Sequence, residues 1–134
     1  MSPAIAWIVA IVATLAGCAS SDEAREAAAS SPNRQCFFAA SAMSFAASDT
    51  RTVNVRVGAN QFFRLDLMSP CRDVTWATTR MTLSGRGSTS ICTGPSLGTT
   101  LVTRGPSGQR RCTVRTVTAL TQQEVDALAS RARP

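Results

Sequence analysis

Apolar and polar residues alternate through the middle of the chain. Val53, Val55 and Val57 are interleaved with Thr52, Asn54 and Arg56, a period of two that turns one face of a strand toward a core. Beyond the turn composition Gly58-Ala59-Asn60, Phe63, Leu65 and Leu67 alternate with Phe62, Arg64 and Asp66, so the two runs predict a hairpin. Two further hairpins are predicted in the same manner. Thr78 to Ser84 and Thr89 to Cys92 flank Gly85-Arg86-Gly87, while Leu97 to Arg104 and Gln109 to Val117 flank Gly105-Pro106-Ser107-Gly108. The apolar residues of Cys36 to Ala47 fit either a buried strand or a short helix, and the segment is read as a strand followed by a loop; Asp73-Val74-Thr75-Trp76 is read as a helical turn. Short strands at this spacing predict a mainly β fold, a small antiparallel sandwich or partly open barrel.

The period changes at the C-terminal end. Thr121 precedes Gln122-Gln123-Glu124 in a capping-box pattern, with Thr121 accepting from the backbone and Glu124 reaching back. Val125, Leu128, Ala129 and Ala132 follow as a narrow apolar stripe, with Asp126 near the start and Arg131 and Arg133 near the end, where they complement the helix dipole. One C-terminal α-helix docked on the sheet is expected.

At the other end, Ala4 to Ala16 is an uncharged apolar run of about 13 residues, which as a helix reaches only about 20 Å. A hydrocarbon core is roughly 30 Å thick, so the run suits a signal peptide better than a transmembrane span. It ends in Leu15-Ala16-Gly17-Cys18, which resembles the lipobox of bacterial lipoproteins: small residues fit the signal peptidase, and the Cys18 thiol accepts the lipid. One departure is that Met1-Ser2-Pro3 supplies no Lys or Arg ahead of the apolar run. The reading is a signal peptide over 1–17, a lipidated flexible tether over 18–34 and a folded domain over 35–134. Acylation with palmitate-type chains at about 0.8 kcal/mol per buried methylene makes such an anchor effectively permanent. By resemblance to lipoprotein sorting, Ala19-Ser20 lacks the aspartate that favours inner-membrane retention, so the periplasmic face of the outer membrane is the expected address.

With Cys18 assigned to lipid, Cys36, Cys71, Cys92 and Cys112 remain, an even number suited to disulfides in an oxidising compartment. No two are close enough in sequence for a redox or zinc-ribbon pair, and no metal is expected. Three connectivities are possible; the favoured one joins Cys71 to Cys92 and Cys36 to Cys112.

Composition narrows the chemistry. All fourteen basic residues are arginines, histidine and tyrosine are absent, and the net charge is +6. Without imidazole the usual general base and a common metal ligand are missing, so an enzyme is not expected and no cofactor is implied. In an exported protein the partners of arginine are anionic envelope polymers and headgroups rather than nucleic acid. Arg64, Arg72, Arg110 and Arg111 are the candidates for anion binding, weighed against solvated charges that guard sheet edges. A non-enzymatic binding or structural domain, contacting an envelope protein or polymer, is the leading expectation. A carboxylate-dependent hydrolase using Asp66 and Asp73 is the alternative, and a disulfide cycling as a redox switch is a third reading.

Taken in order, Cys36-Phe37, Val57-Gly58, Leu65-Asp66-Leu67 leading to Cys71-Arg72-Asp73, Ile91-Cys92 with Gly94, Cys112-Thr113-Val114 and Leu120-Thr121 resemble an uncharacterised family of proteobacterial envelope proteins, domain of unknown function 6491. The resemblance spans about Gln35 to Leu128. It implies a disulfide scaffold and no established activity.

Overall fold

The computed structural model describes residues 33–87 and 89–134. The expected signal peptide, the expected lipobox with Cys18 and most of the expected tether fall outside the described residues. Among those described, no helix is long and apolar enough to cross a membrane.

Nine strands follow in chain order: β1 (Cys36–Phe38), β2 (Ala42–Ala47), β3 (Thr52–Val57), β4 (Gln61–Leu67), β5 (Arg80–Gly85), β6 (Ser90–Cys92), β7 (Gly94–Pro95), β8 (Thr99–Gly105) and β9 (Gly108–Leu120), then helix α1 (Gln122–Ala127). The large sheet runs β2-β3-β4-β9-β8-β5 with β7 added to β9, and β1 and β6 form a separate pair. Every pairing is antiparallel. The result is the expected mainly β architecture, a nearly closed barrel-like sheet with a second small sheet, two disulfides and one short C-terminal helix.

The alternation read from the sequence sets the core. Val53, Val55, Val57, Phe63, Leu65 and Leu67 are all buried, and Phe37 lies across Phe63 with ring centroids 4.5 Å apart. The long β9 serves both halves. Its first part pairs with β8, from Gly108 opposite Gly105 to Thr113 opposite Thr100, and its second part pairs with β4, from Val114 opposite Leu67 to Leu120 opposite Phe62. A bulge at Arg115 separates the two. One inserted residue shifts the parity, so the core positions pass from Cys112 and Val114 to Val117 and Ala119. The Arg115 backbone carbonyl accepts from Ser96 N–H at 2.9 Å, which anchors the chain leaving β7.

The first and third expected hairpins are present, β3–β4 and β8–β9. The second is not. β5 pairs with β8, Gly85 lying opposite Thr99, and β6 pairs with β1 instead. That rearrangement overturns the favoured disulfide pairing. Cys36 and Cys92 stand directly opposite each other on β1 and β6, with Cα atoms 4.0 Å apart, and Cys71 joins Cys112 at 5.9 Å. Once β6 leaves β5 for β1, Cys92 is carried to Cys36, and Cys71, in the loop that follows β4, is left to pair with Cys112 on the neighbouring β9. By loop entropy each bridge contributes about 4 kcal/mol.

The segment from Cys36 to Ala47 holds two strands separated by a 3-10 turn, Ala39–Ser41, rather than one strand and a loop. Asp73 to Trp76 closes as a single hydrogen-bonded turn, Trp76 N–H to the Asp73 carbonyl at 3.0 Å, entered through Asp73 at φ 63°. The capping box at Thr121 and Glu124 is formed. The helix stops at Ala127, short of the predicted stripe, and Ala132 reaches the sheet through a 3-10 turn over Ser130–Ala132. Arg133 donates to the carbonyls of Leu128 and Asp126 and so closes the helix end. Leu120, Val125 and Ala132 are buried yet lie apart from the main core cluster. Asn54 joins this second layer, donating to the Ala132 carbonyl at 2.8 Å and to Ser48 Oγ at 3.0 Å.

Candidate functional site

The edge strands β2 and β5 approach each other without pairing, and their separation leaves a seam in the barrel. At one end the seam is zipped. β1 and β6 are hydrogen-bonded, Ala39 N–H continues their ladder to the Thr89 carbonyl at 2.9 Å, and the Cys36–Cys92 bridge lies on that pair. Beyond this point the two chains splay into a groove of about 930 Å³. Ala39, Ala42 and Phe45 line one side, and Met81, Leu83 and Gly85 the other. A second cavity of about 520 Å³ shares Phe45 and Met81 and continues toward Trp76, Arg131 and Arg133. Phe38, the last residue of β1, and Met43 on β2 are 61% and 65% exposed, an unfavourable placement for large apolar side chains in a domain this small.

The hydrogen-bonding phase of each wall follows from its outer ladder. Ser48 N–H donates to the Thr52 carbonyl, which makes Ser48 and Thr52 a hydrogen-bonded pair, so by alternation Ala46 and Ser44 also point their backbone groups at β3 while Ala47 and Phe45 point theirs at the seam. Arg86 N–H donates to the Gly98 carbonyl. Arg80, Thr82 and Ser84 are therefore the residues bonded to β8, and Met81, Leu83 and Gly85 direct their N–H and C=O groups into the seam. The groove is thus mainly apolar in its side chains, with Thr82, Ser84 and Thr89 also lining it, and among the described residues the backbone donors and acceptors directed into it from both walls are unpaired.

The residues singled out from the sequence are dispersed. Arg72 and Arg110 come together around Asp73. The Ser107 hydroxyl and backbone N–H, the latter at 2.9 Å, hold the Asp73 carboxyl below its ordinary range; burial opposes them, and Arg110 and then Arg72 add lesser lowering effects. Thr79 Oγ1 donates to the Asp73 carbonyl, and Gly105 passes so close that a Cβ there would lie 2.7 Å from Thr79 Oγ1 and 2.9 Å from Asp73 Cβ. This cluster ties the β8–β9 turn to the loop that follows Cys71. Arg64 lies elsewhere, facing Glu124, whose carboxyl is held low first by the Thr121 backbone and hydroxyl and then by Arg64. Arg111, next to Arg110 on β9, points to the opposite face of the strand. Asp66 stands on β4 between Thr52 and Thr116 and is not among the groups acting on Asp73. Among the described residues no three His, Cys, Asp or Glu side chains converge as a metal site.

The sequence reading missed the groove because it depends on which strands fail to pair, and no residue type signals that. The nearest hint was the ambiguity of Cys36 to Ala47, whose Phe38 and Met43 are apolar with no partner in the period. The fold and the groove together define a disulfide-stapled, partly open antiparallel barrel with an accessible seam. The chain belongs to a family of unknown function, DUF6491, matched over residues 1–134. No curated protein and no solved structure matches it.

Proposed function

We propose that the protein is a lipid-anchored envelope protein, attached through Cys18 on the periplasmic face of the outer membrane, whose folded part is a non-enzymatic binding domain that captures an extended polypeptide segment in the β2/β5 seam. The observation that carries the binding reading is the groove itself. Its walls are two strand edges with unpaired backbone groups at Phe45, Ala47, Met81, Leu83 and Gly85. An acyl chain would leave those groups desolvated and unbonded, whereas an added strand satisfies them while its alternate side chains enter the apolar floor. The exported setting is supported by the lipobox resemblance and by two disulfides in the domain.

The binding reading is tested with a photo-crosslinking amino acid at the exposed Phe38, next in the chain to Ala39 of the groove wall, in intact cells. Met81→Pro removes a seam-directed N–H without removing a bond to β8, so it blocks strand addition while retaining the ladder. A polypeptide adduct is expected at Phe38, lost in Met81→Pro and absent from the same probe at the exposed Met68, which follows β4 and lies outside the groove. An adduct indifferent to Met81→Pro in a variant that still melts cooperatively, or equal labelling at Met68, would overturn the reading. The anchor is tested separately. Radiolabelled palmitate should enter the wild-type chain and not Cys18→Ser, and label persisting on that variant would refute acylation at Cys18.

A further inference from the structure

We propose that the outer face of β5, β8 and β9 is a second binding surface, in which Arg80, Arg104 and Arg111 hold the phosphate groups of anionic lipid headgroups. Strand register brings the three together. Arg80 on β5 stands directly opposite Arg104 on β8, and Arg104 opposite Gln109 on β9; Arg111, two residues beyond Gln109, is the diagonal neighbour of Arg104. Paired residues of antiparallel strands share a face, with Cβ atoms about 5 Å apart when directly opposite and about 7 to 8 Å on the diagonal, within reach of an arginine side chain. All three are exposed.

Like charges placed opposite each other destabilise a sheet, so such a pair calls for a compensating anion. The protein does not provide one. No carboxylate forms an ion pair with these arginines among the described residues, and the five described aspartate and glutamate side chains lie elsewhere. Asp73 is held by Ser107 with Arg110 and Arg72, and Glu124 by Thr121 with Arg64. Asp49 accepts from Arg51 N–H, Asp126 accepts from Gln122, and Asp66 lies on β4. Arg104 alone has a side-chain partner, Gln109 Oε1 at 3.0 Å, which fixes the guanidinium on this face. Guarding a sheet edge accounts for Arg80 and for Arg111, where β9 has only β8 beside it, but not for Arg104, which lies between β5 and β9. Three guanidinium forks on one face suit a phosphate, which accepts several charge-assisted bonds at once. The choice of lipid phosphate rests on the membrane-anchored reading above, under which anionic headgroups are the abundant phosphates at the protein's surface.

The test uses the full chain in micelles of an uncharged detergent, with ¹⁵N at the arginines. Phosphatidylglycerol is titrated in, and a parallel arm receives inorganic phosphate at matched ionic strength. The side-chain Nε–Hε resonances of Arg80, Arg104 and Arg111 are expected to move saturably with the lipid and not with inorganic phosphate. The triple variant R80Q/R104Q/R111Q should weaken lipid binding about tenfold and flatten its salt dependence. The charge-matched R34Q/R51Q/R86Q should retain affinity within about twofold. Equal losses in the two triples, absence of saturation, or saturation by inorganic phosphate in place of the lipid would each overturn the proposal. Because the lipid is added from outside, its outcome is independent of palmitate labelling at Cys18, and the two failures are distinguishable.

Discussion

At Asp73 a single side chain joins loop, turn and disulfide. Its φ of 63° is a conformation that aspartate tolerates better than most residues, and its carboxylate accepts the Ser107 N–H at the tip of the β8–β9 turn. Asn keeps the tolerance for this conformation and one acceptor oxygen, so Asp73→Asn isolates the charge. The carboxyl is held below its ordinary 3.8 in the folded state. A depressed folded value gives stability that is present in full above the unfolded value and disappears as pH falls through the folded one. Asp73→Asn is therefore expected to lower the urea midpoint at neutral pH, with the difference from wild type closing below about pH 4. A gap that persists unchanged into stronger acid would refute the charge as its cause. The sequence pointed to Asp73 as a possible acid or base and could not reveal this role, because Ser107 and Gly105 reach it only through the register of β8 on β9.

Among the elements, those legible in the sequence were the ones whose information is local. The β3–β4 hairpin follows from Val53 to Leu67 and its turn, and α1 from Thr121 and Glu124, whose reciprocal bonds are formed as read. The β8–β9 hairpin follows from its Gly-Pro-Ser-Gly turn. What failed was the inference that neighbouring runs pair. Gly85-Arg86-Gly87 carries the composition of a hairpin turn but passes the chain from the large sheet to the small one, since β5 gains more from β8 and β6 from β1. The apparently polar face of β3 was a second miss. Asn54 is fully buried under the C-terminal segment, which an alternating pattern cannot foresee when the outer face is covered from 78 residues away. For the candidate surfaces the result is similar. Arg111 was legible as a charge, but its grouping with Arg80 and Arg104 in place of Arg64, Arg72 and Arg110 is a property of register alone.

Across the whole molecule, closure of the barrel depends on the small sheet. β1 and β6 are three residues each, and an isolated two-stranded pair of that length is marginal in water, so the Cys36–Cys92 bridge and the burial of Phe37 and Ile91 hold the seam shut at that end. The two bridges differ in access. Cys36 is exposed and Cys92 half-buried, whereas Cys71 is 1% and Cys112 9% exposed, beneath the sheet. Thiol exchange requires an attacking thiolate to reach sulfur, so a mild reductant should open Cys36–Cys92 first. With that bridge open, the β1–β6 ladder loses its constraint and the splay between β2 and β5 is free to extend toward it. Stepwise reduction followed by alkylation should label Cys36 and Cys92 before Cys71 and Cys112. At that stage amide exchange should rise by about an order of magnitude at Phe37, Ala39 and Ile91 while Val55, Leu65 and Val117 stay protected. Labelling of Cys71 and Cys112 first, or an unchanged exchange pattern after Cys36–Cys92 is open, would show that the seam is held by packing alone. The width of the groove would then be independent of the redox state around it.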